Sequence, residues 1–401
     1  VLDVQPQPLG HAAHHLLDQH GAHGLGEARG AVINHTSLQR APALVHGRAA
    51  AKEVVDGRTQ RQHVGSRGRV PGEQAAQIDA LAAVGLVGTA LDPPARQREV
   101  AERIAMVDAS VWFCWAQHQS PLRTLAAAEP ADHAPLVDEI KARWLTGLSD
   151  GSNGGAVAFA HLRRPGPANP TAERVHGGWS ITGTLDWVTS WDIADVMLLM
   201  VRGVGDYADS IVCMYLAAGR DPAYLEGLHV HEPLELLAMS GTHTRPMTLE
   251  GVMIPDTNVA AVKDFHEWAE ADAKKTLDAN PATFGIVRGA VSELHAIAER
   301  RNDSQMRDLV ATMRSKAIRL RRDVYAALEA DGADQTRLAL RAESLDLSAR
   351  AATAVITAKA GASMQRGCAA ERRLREAMFL QVQAQTAATR HASLALIEGQ
   401  M

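Results

Sequence analysis

The chain has 401 residues, a formal net charge of −5, and 46% hydrophobic against 22% charged residues, the proportions of an ordinary globular protein. These values exclude a wholly disordered or collagen-like chain, and the mild acidity gives no reason to expect nucleic acid as a partner. No run of 18 apolar residues occurs, so no membrane-spanning helix is expected.

Composition changes along the chain. All sixteen aromatic residues lie at Trp112 or later. Residues 1–74 hold eight of the eighteen histidines and a single lysine, Lys52, and carry a charge of +2 against −7 for the remainder. Their apolar residues follow neither helical nor strand spacing, and such a segment buries too little surface to offset its ordering entropy. The reading for residues 1–74 is therefore a low-order extension, or a stretch that is not native coding sequence. His11, His14 and His15 have the spacing of a metal-binding helix face, but a biased, solvated segment explains them better, and no metal site is expected. The start of the chain lacks the basic-then-apolar order of a signal peptide. Cys114, Cys213 and Cys368 are far apart and odd in number, which reads as reduced thiols in a cytoplasmic protein.

Residues 75–150 read as an incomplete helical domain. Ile78, Leu81, Val84 and Leu86 form one apolar stripe, and Pro93-Pro94 breaks the chain. Val100, Ile104, Val107 and Val111 then recur at helical spacing into Trp112-Phe113-Cys114-Trp115. From Gly151 the period becomes two, and residues 151–262 read as an antiparallel, barrel-like β domain. Val157 to His161 is a short strand. Thr171 to Thr189 is a hairpin turning at Gly177-Gly178, and Val196–Val201, Ser210–Leu216 and Met247–Ile254 are further strands. Residues 263–401 read as a four-helix bundle. Its apolar positions run from Phe284 to Ile297 and from Met306 to Ala327. Asp331-Gly332 separates these from an alanine-rich helix over 335–364 and a last helix over 370–396. The fold class expected is α+β.

Three stretches resemble the acyl-CoA dehydrogenase family, over about residue 75 to the end. The first is Gly178-Trp-Ser-Ile-Thr-Gly-Thr-Leu-Asp-Trp-Val-Thr-Ser190, followed by Ala194-Asp195. The second is Leu249-Glu-Gly-Val-Met-Ile-Pro255 with Val259. The third is Glu371-Arg-Arg-Leu-Arg-Glu-Ala377 with Thr386. The resemblance implies a helical N-terminal part, a β middle domain and a C-terminal four-helix bundle. It also implies an FAD flavoprotein, a homo-dimer or tetramer, that oxidises an acyl-CoA thioester at its α,β bond and passes electrons to an electron-transfer flavoprotein or similar acceptor.

Carried over residue by residue, the resemblance assigns Trp187 to the flavin ring face and Thr189 to its N5 edge, although alternate residues on one strand face would also pack this way. Phe159, Ala160 and His161 fall at the flavin pyrimidine contact, with Ala160 and His161 replacing a threonine and a glutamate. Thr386 falls at a flavin contact, and Ala360-Gly361 stands for the family's glycine pair on the adenosine side. Arg300, Arg301, Arg307 and Arg314 are candidates for the flavin pyrophosphate. The family's catalytic glutamate falls on Ala384, which cannot take a proton. Glu293 and Glu299, on the bundle's long helix, and His118, His161 and His391 are the alternative bases, each more readily explained as a structural or solvated residue. Three functions remain: an acyl-CoA dehydrogenase with a displaced base, a flavin-dependent monooxygenase of the same fold, or a catalytically silent subunit paired with an active paralogue.

Overall fold

The computed structural model describes residues 71–219, 225–330 and 332–399. The histidine cluster at 11–15 and most of the expected extension lie outside them. Four helices come first: α1 Pro71–Ala83, α2 Pro94–Val107, α3 Ala109–Ala126 and α4 Val137–Asp150. Helix α1 begins ahead of the expected position 75 and stops at Ala83, so Val84 and Leu86 follow it in a loop that turns at Gly85 (φ 69°). The helix read through Val111 is two helices. Asp108 adopts an extended conformation and its carboxylate accepts from the amides of Ser110 (2.8 Å) and Val111 (3.1 Å), capping α3. A capping aspartate ends one apolar stripe and starts the next without disturbing its spacing.

Strands β1 Gly155–Ala158, β2 Thr171–Val175, β3 Gly178–Val188, β4 Val196–Gly203, β5 Ser210–Ala217, β6 Leu228–Val230, β7 Arg245–Pro255 and β8 Val259–Asp264 form one sheet, ordered β6-β7-β3-β2-β4-β5-β8. The expected hairpin is β2–β3, with Val175 opposite Gly178 and Gly177 (φ 76°) in the turn. The sheet is mixed rather than antiparallel. Strands β1 and β2 lie end to end along one edge of β4 and both run parallel to it. The other expected strands are present. The strand read as far as His161 stops at Ala158, and Ala160–Arg163 forms a 3-10 turn.

Strands β4 and β5 are buried on both faces, so they carry apolar residues in succession rather than the period of two expected from the sequence. Met197, Leu199 and Val201 face the interior formed by the sheet with Trp179, Ile181 and Leu249. Val196, Leu198 and Met200 pack instead against Leu122, Leu125, Val137 and Leu148 of α3 and α4.

The chain continues through α5 Phe265–Lys275, α6 Pro281–Arg301, α7 Ser304–Ala327, α8 Asp334–Lys359, α9 Ala369–Val382 and α10 Ala387–Glu398. Helix α6 is central, with Phe284, Val287, Val291 and Leu294 buried against Leu320 and Val324 of α7 and Leu347, Ala351 and Val355 of α8. It meets α2 at Gly285, where a Cβ would lie 2.4 Å from the carbonyl oxygen of Glu102. The last helix expected over 370–396 is two, divided at Gln383–Thr386. Ala384 lies in the left-handed region (φ 50°), and Thr386 caps α10 through a reciprocal pair of bonds with Thr389. Alanine-rich spacing on both sides conceals this break, because alanine favours helix wherever it stands.

Candidate functional site

The C-terminal end of β3 carries the feature that defines the site. Leu185 pairs with Met247 of β7, but Val188 rather than Trp187 pairs with Arg245. The extra residue on β3 is a bulge, which re-aims a side chain out of the regular alternation. Without it Trp187 would share the face of Leu185, which is buried. With it the indole is 50% exposed.

Trp187 lines a shallow cleft with Ala158, Phe159, Ala160, His161 and Arg164. The structure thus brings Trp187 together with Phe159, Ala160 and His161, which precede it by 26 or more positions in sequence. Asp186 pairs with Arg164 at the rim. Phe159 is held from behind by Trp268 of α5, edge-on at 6.3 Å between ring centres, and by the Arg163 guanidinium, 4.9 Å from its ring centre and itself bound to Asp272. Helix α5 was not foreseen from the sequence, although Phe265 and Trp268, three apart, mark its packing face.

The other assigned residues sit elsewhere. Thr189 is buried and its hydroxyl lies 3.1 Å from that of Thr244, which lies 2.9 Å from that of Thr242. This hydroxyl ladder joins the end of β3 to the start of β7. Neither Thr189, Thr386 nor Gly361 lines the cleft. Thr386 is the α10 cap, and Gly361 is exposed in the 3-10 turn Ala360–Met364, with open space where a Cβ would stand. Close backbone approach, the physical use of a glycine there, is not exercised within the chain.

The candidate bases are largely committed. His118 Nδ1 accepts from the amide of Gly155 (3.0 Å) and Nε2 donates to the carbonyl of Leu148 (2.8 Å). Desolvation lowers its pKa to about 4. With both nitrogens held by backbone, the neutral ring ties α3, α4 and β1 together. His161 Nε2 donates to the carbonyl of Met200 (2.8 Å), and desolvation likewise lowers it to about 4. It lines the cleft as a neutral ring.

Glu293 is bound by Lys359 (2.7 Å) and Arg373 (2.5 Å), and Glu299 by Arg307 (2.7 Å), which hold both carboxylates ionised in structural pairs. Arg300, Arg301 and Arg314 are exposed on α6 and α7, while half-buried Arg307 is tied to Glu299 and Asn302. His391 is exposed on α10. The thiols of Cys114 and Cys213 are buried, and desolvation pushes them up to about 12 and about 11, so both stay protonated. Among the described residues no group of three potential metal ligands occurs, and no helix is long and apolar enough to cross a membrane.

No family model and no curated protein sequence matches the chain. Solved structures do. The chain is similar to butyryl-CoA dehydrogenase from Megasphaera elsdenii, with a TM-score of 0.67 at 16% identity over 92% of this chain and 100% of that one. It is similar to a glutaryl-CoA dehydrogenase from Mycobacterium smegmatis in complex with FADH2, with a TM-score of 0.64 at 14% identity over 88% and 95%. It is also similar to a nitroalkane oxidase crystallized with 1-nitrohexane, with a TM-score of 0.70 at 14% identity over 91% and 97%. The chain therefore has the acyl-CoA dehydrogenase fold: a helical N-terminal part, a mixed sheet and C-terminal helices.

Proposed function

We propose that this protein is a flavin-dependent oxidoreductase, with a flavin ring, as FAD, laid against the exposed face of Trp187. The observation that carries the reading is the β3 bulge. It presents a half-exposed indole beside the turn Phe159–His161, the stretch that the family resemblance assigns independently to the same ring. A flat aromatic face suits a flat ring, and the backbone of the turn offers polar groups at its edge. The neutral His161 adds no charge there. A bound flavin supplies hydride acceptance at N5. The chain's part is to hold the ring and its substrate in register and to exclude water.

By the resemblance, the substrate is an acyl-CoA thioester and the reaction α,β-dehydrogenation, with an electron-transfer flavoprotein or similar acceptor and a homo-oligomeric or paired assembly. That reaction needs a base for the α-proton. Ala384 stands at its position, and Glu293 and Glu299 are held in ion pairs. These three positions favour a second reading, a flavin-dependent monooxygenase, in which no such carboxylate is needed.

The test is direct. The purified protein, reconstituted with FAD, is expected to show flavin absorption bands. Bleaching on anaerobic addition of acyl-CoA supports dehydrogenation, and a transient oxygen adduct after chemical reduction supports the monooxygenase. A protein that remains colourless after reconstitution overturns both.

A further inference from the structure

The link from α5 to α6 and the link from α9 to α10 meet at one side chain. Arg341, on α8, is 5% exposed. Its Nη1 donates to the carbonyls of Thr276 (2.7 Å) and Asp278 (3.2 Å), and its Nη2 to those of Gln383 (2.9 Å) and Ala384 (3.4 Å). A buried charge ordinarily has a carboxylate partner. Here the Asp278 carboxylate is bound instead by Arg337, and among the described residues no carboxylate forms an ion pair with Arg341. Its acceptors are backbone carbonyls at two helix ends, since Thr276 caps the C-terminus of α5 and Gln383 that of α9. Both ends carry the partial negative charge of the helix dipole, so the two dipoles stand in for the missing anion.

A second bond crosses the same joint. Asn280 Nδ2 donates to Gln383 Oε1 (3.2 Å) while its Oδ1 accepts from Ala282 and caps α6. The α9–α10 link needs such support, because Ala384 holds a left-handed conformation that disfavours any side chain with a Cβ. Desolvation, and then the neighbouring Arg163, lower the guanidinium to about 10, so it keeps its charge at neutral pH.

We propose that Arg341 is a positioning residue for the active site, clamping the 383–385 link onto the 276–280 link and so fixing where a side chain at position 384 stands. The role in the site rests on the flavin reading and on the correspondence of Ala384 to the family's glutamate. The clamp itself does not.

The experiment compares Arg341→Met, which keeps length without donors, and Arg341→Lys, which keeps the charge, in the full chain with FAD. Amide hydrogen exchange is expected to quicken about tenfold at 276–280 and 383–386 in the methionine variant, with strands β4 and β5 unchanged, and to return within about threefold of wild type with lysine. Flavin content is expected to stay, while kcat for flavin reduction falls more than KM rises. Unchanged exchange at both links, or acceleration spread equally into the sheet, overturns the clamp. Local acceleration with unaltered kcat overturns its role in the site. A chain that takes up no flavin defeats the flavin reading alone, and the exchange pattern still decides the clamp. Should the methionine variant not fold, Arg341→Gln replaces it with the same outcomes.

Discussion

Two residues carry most of the functional argument, Trp187 and Ala384. Trp187 presents a half-exposed indole at the end of β3. In Trp187→Ala the β3 bulge should persist, because its extra residue is a matter of backbone count. The loss should fall on ring stacking, about 1 kcal/mol and thus a several-fold to tenfold weaker flavin affinity. Titration of the apoprotein with FAD measures it, and an unchanged affinity would remove Trp187 from the site. Ala384→Glu tests the position that the resemblance gives to the base. Alanine already bears the strain of its positive φ, so glutamate adds none in the backbone. With the geometry implied by the resemblance, the variant gains acyl-CoA oxidation, read as anaerobic bleaching faster than in the wild type. No gain would mean that position 384 does not face the substrate.

At the scale of elements, polar joints as well as apolar packing hold the helices. Glu102 of α2 has no exposed surface and accepts from Arg288 (3.0 Å) on α6, and from Arg321 (2.6 Å) and the Tyr325 hydroxyl (2.6 Å) on α7. Removing one partner of a fully buried pair typically costs 3–5 kcal/mol. Here Arg288 and Arg321 remain 41% and 38% exposed and can return to water. Glu102→Ala should therefore cost about 2–3 kcal/mol, below that range, as a lower urea midpoint with an unaltered slope. An effect under about 0.5 kcal/mol would reduce the network to a surface pair. None of this was legible from periodicity, which marks Glu102 as one polar residue among apolar neighbours on α2. Its partners lie 186 and 219 positions away.

Across the whole molecule, Glu376 links the N-terminal helices to the bundle. Its carboxyl is buried on α9, accepts from the amide of Ala109 (3.2 Å) at the start of α3, and lies 3.4 Å from Arg372, which also binds Asp108. Burial pushes its pKa from 4.5 to about 7, against the pull of Arg372. An acid whose pKa is raised by folding favours the native state at low pH, and that advantage is lost as pH rises through its folded value. Stability should accordingly decline between about pH 4.5 and 7 by no more than about 3 kcal/mol from this group. Glu376→Gln keeps the acceptor for Ala109 and should flatten that decline, measured as the difference between urea unfolding at pH 5 and pH 8. An identical pH dependence in the variant would refute the assignment.

The amino-acid sequence by itself determined the order of helical part, sheet and bundle, the places of β4 and β5, and the β2–β3 hairpin. Hydrophobic spacing and turn residues are local signals, and these elements obey them. It also placed Trp187 and the Phe159–His161 stretch in one site by resemblance to a family. What only the tertiary structure decided are features set by partners remote in the chain. The parallel pairing of β1 and β2 with β4 is of this kind. So are the bulge that turns Trp187 outward and the backbone bonds by which His118 ties α3, α4 and β1. Each depends on where a hydrogen-bonding group finds its mate, and that mate is chosen by packing, to which local spacing is blind.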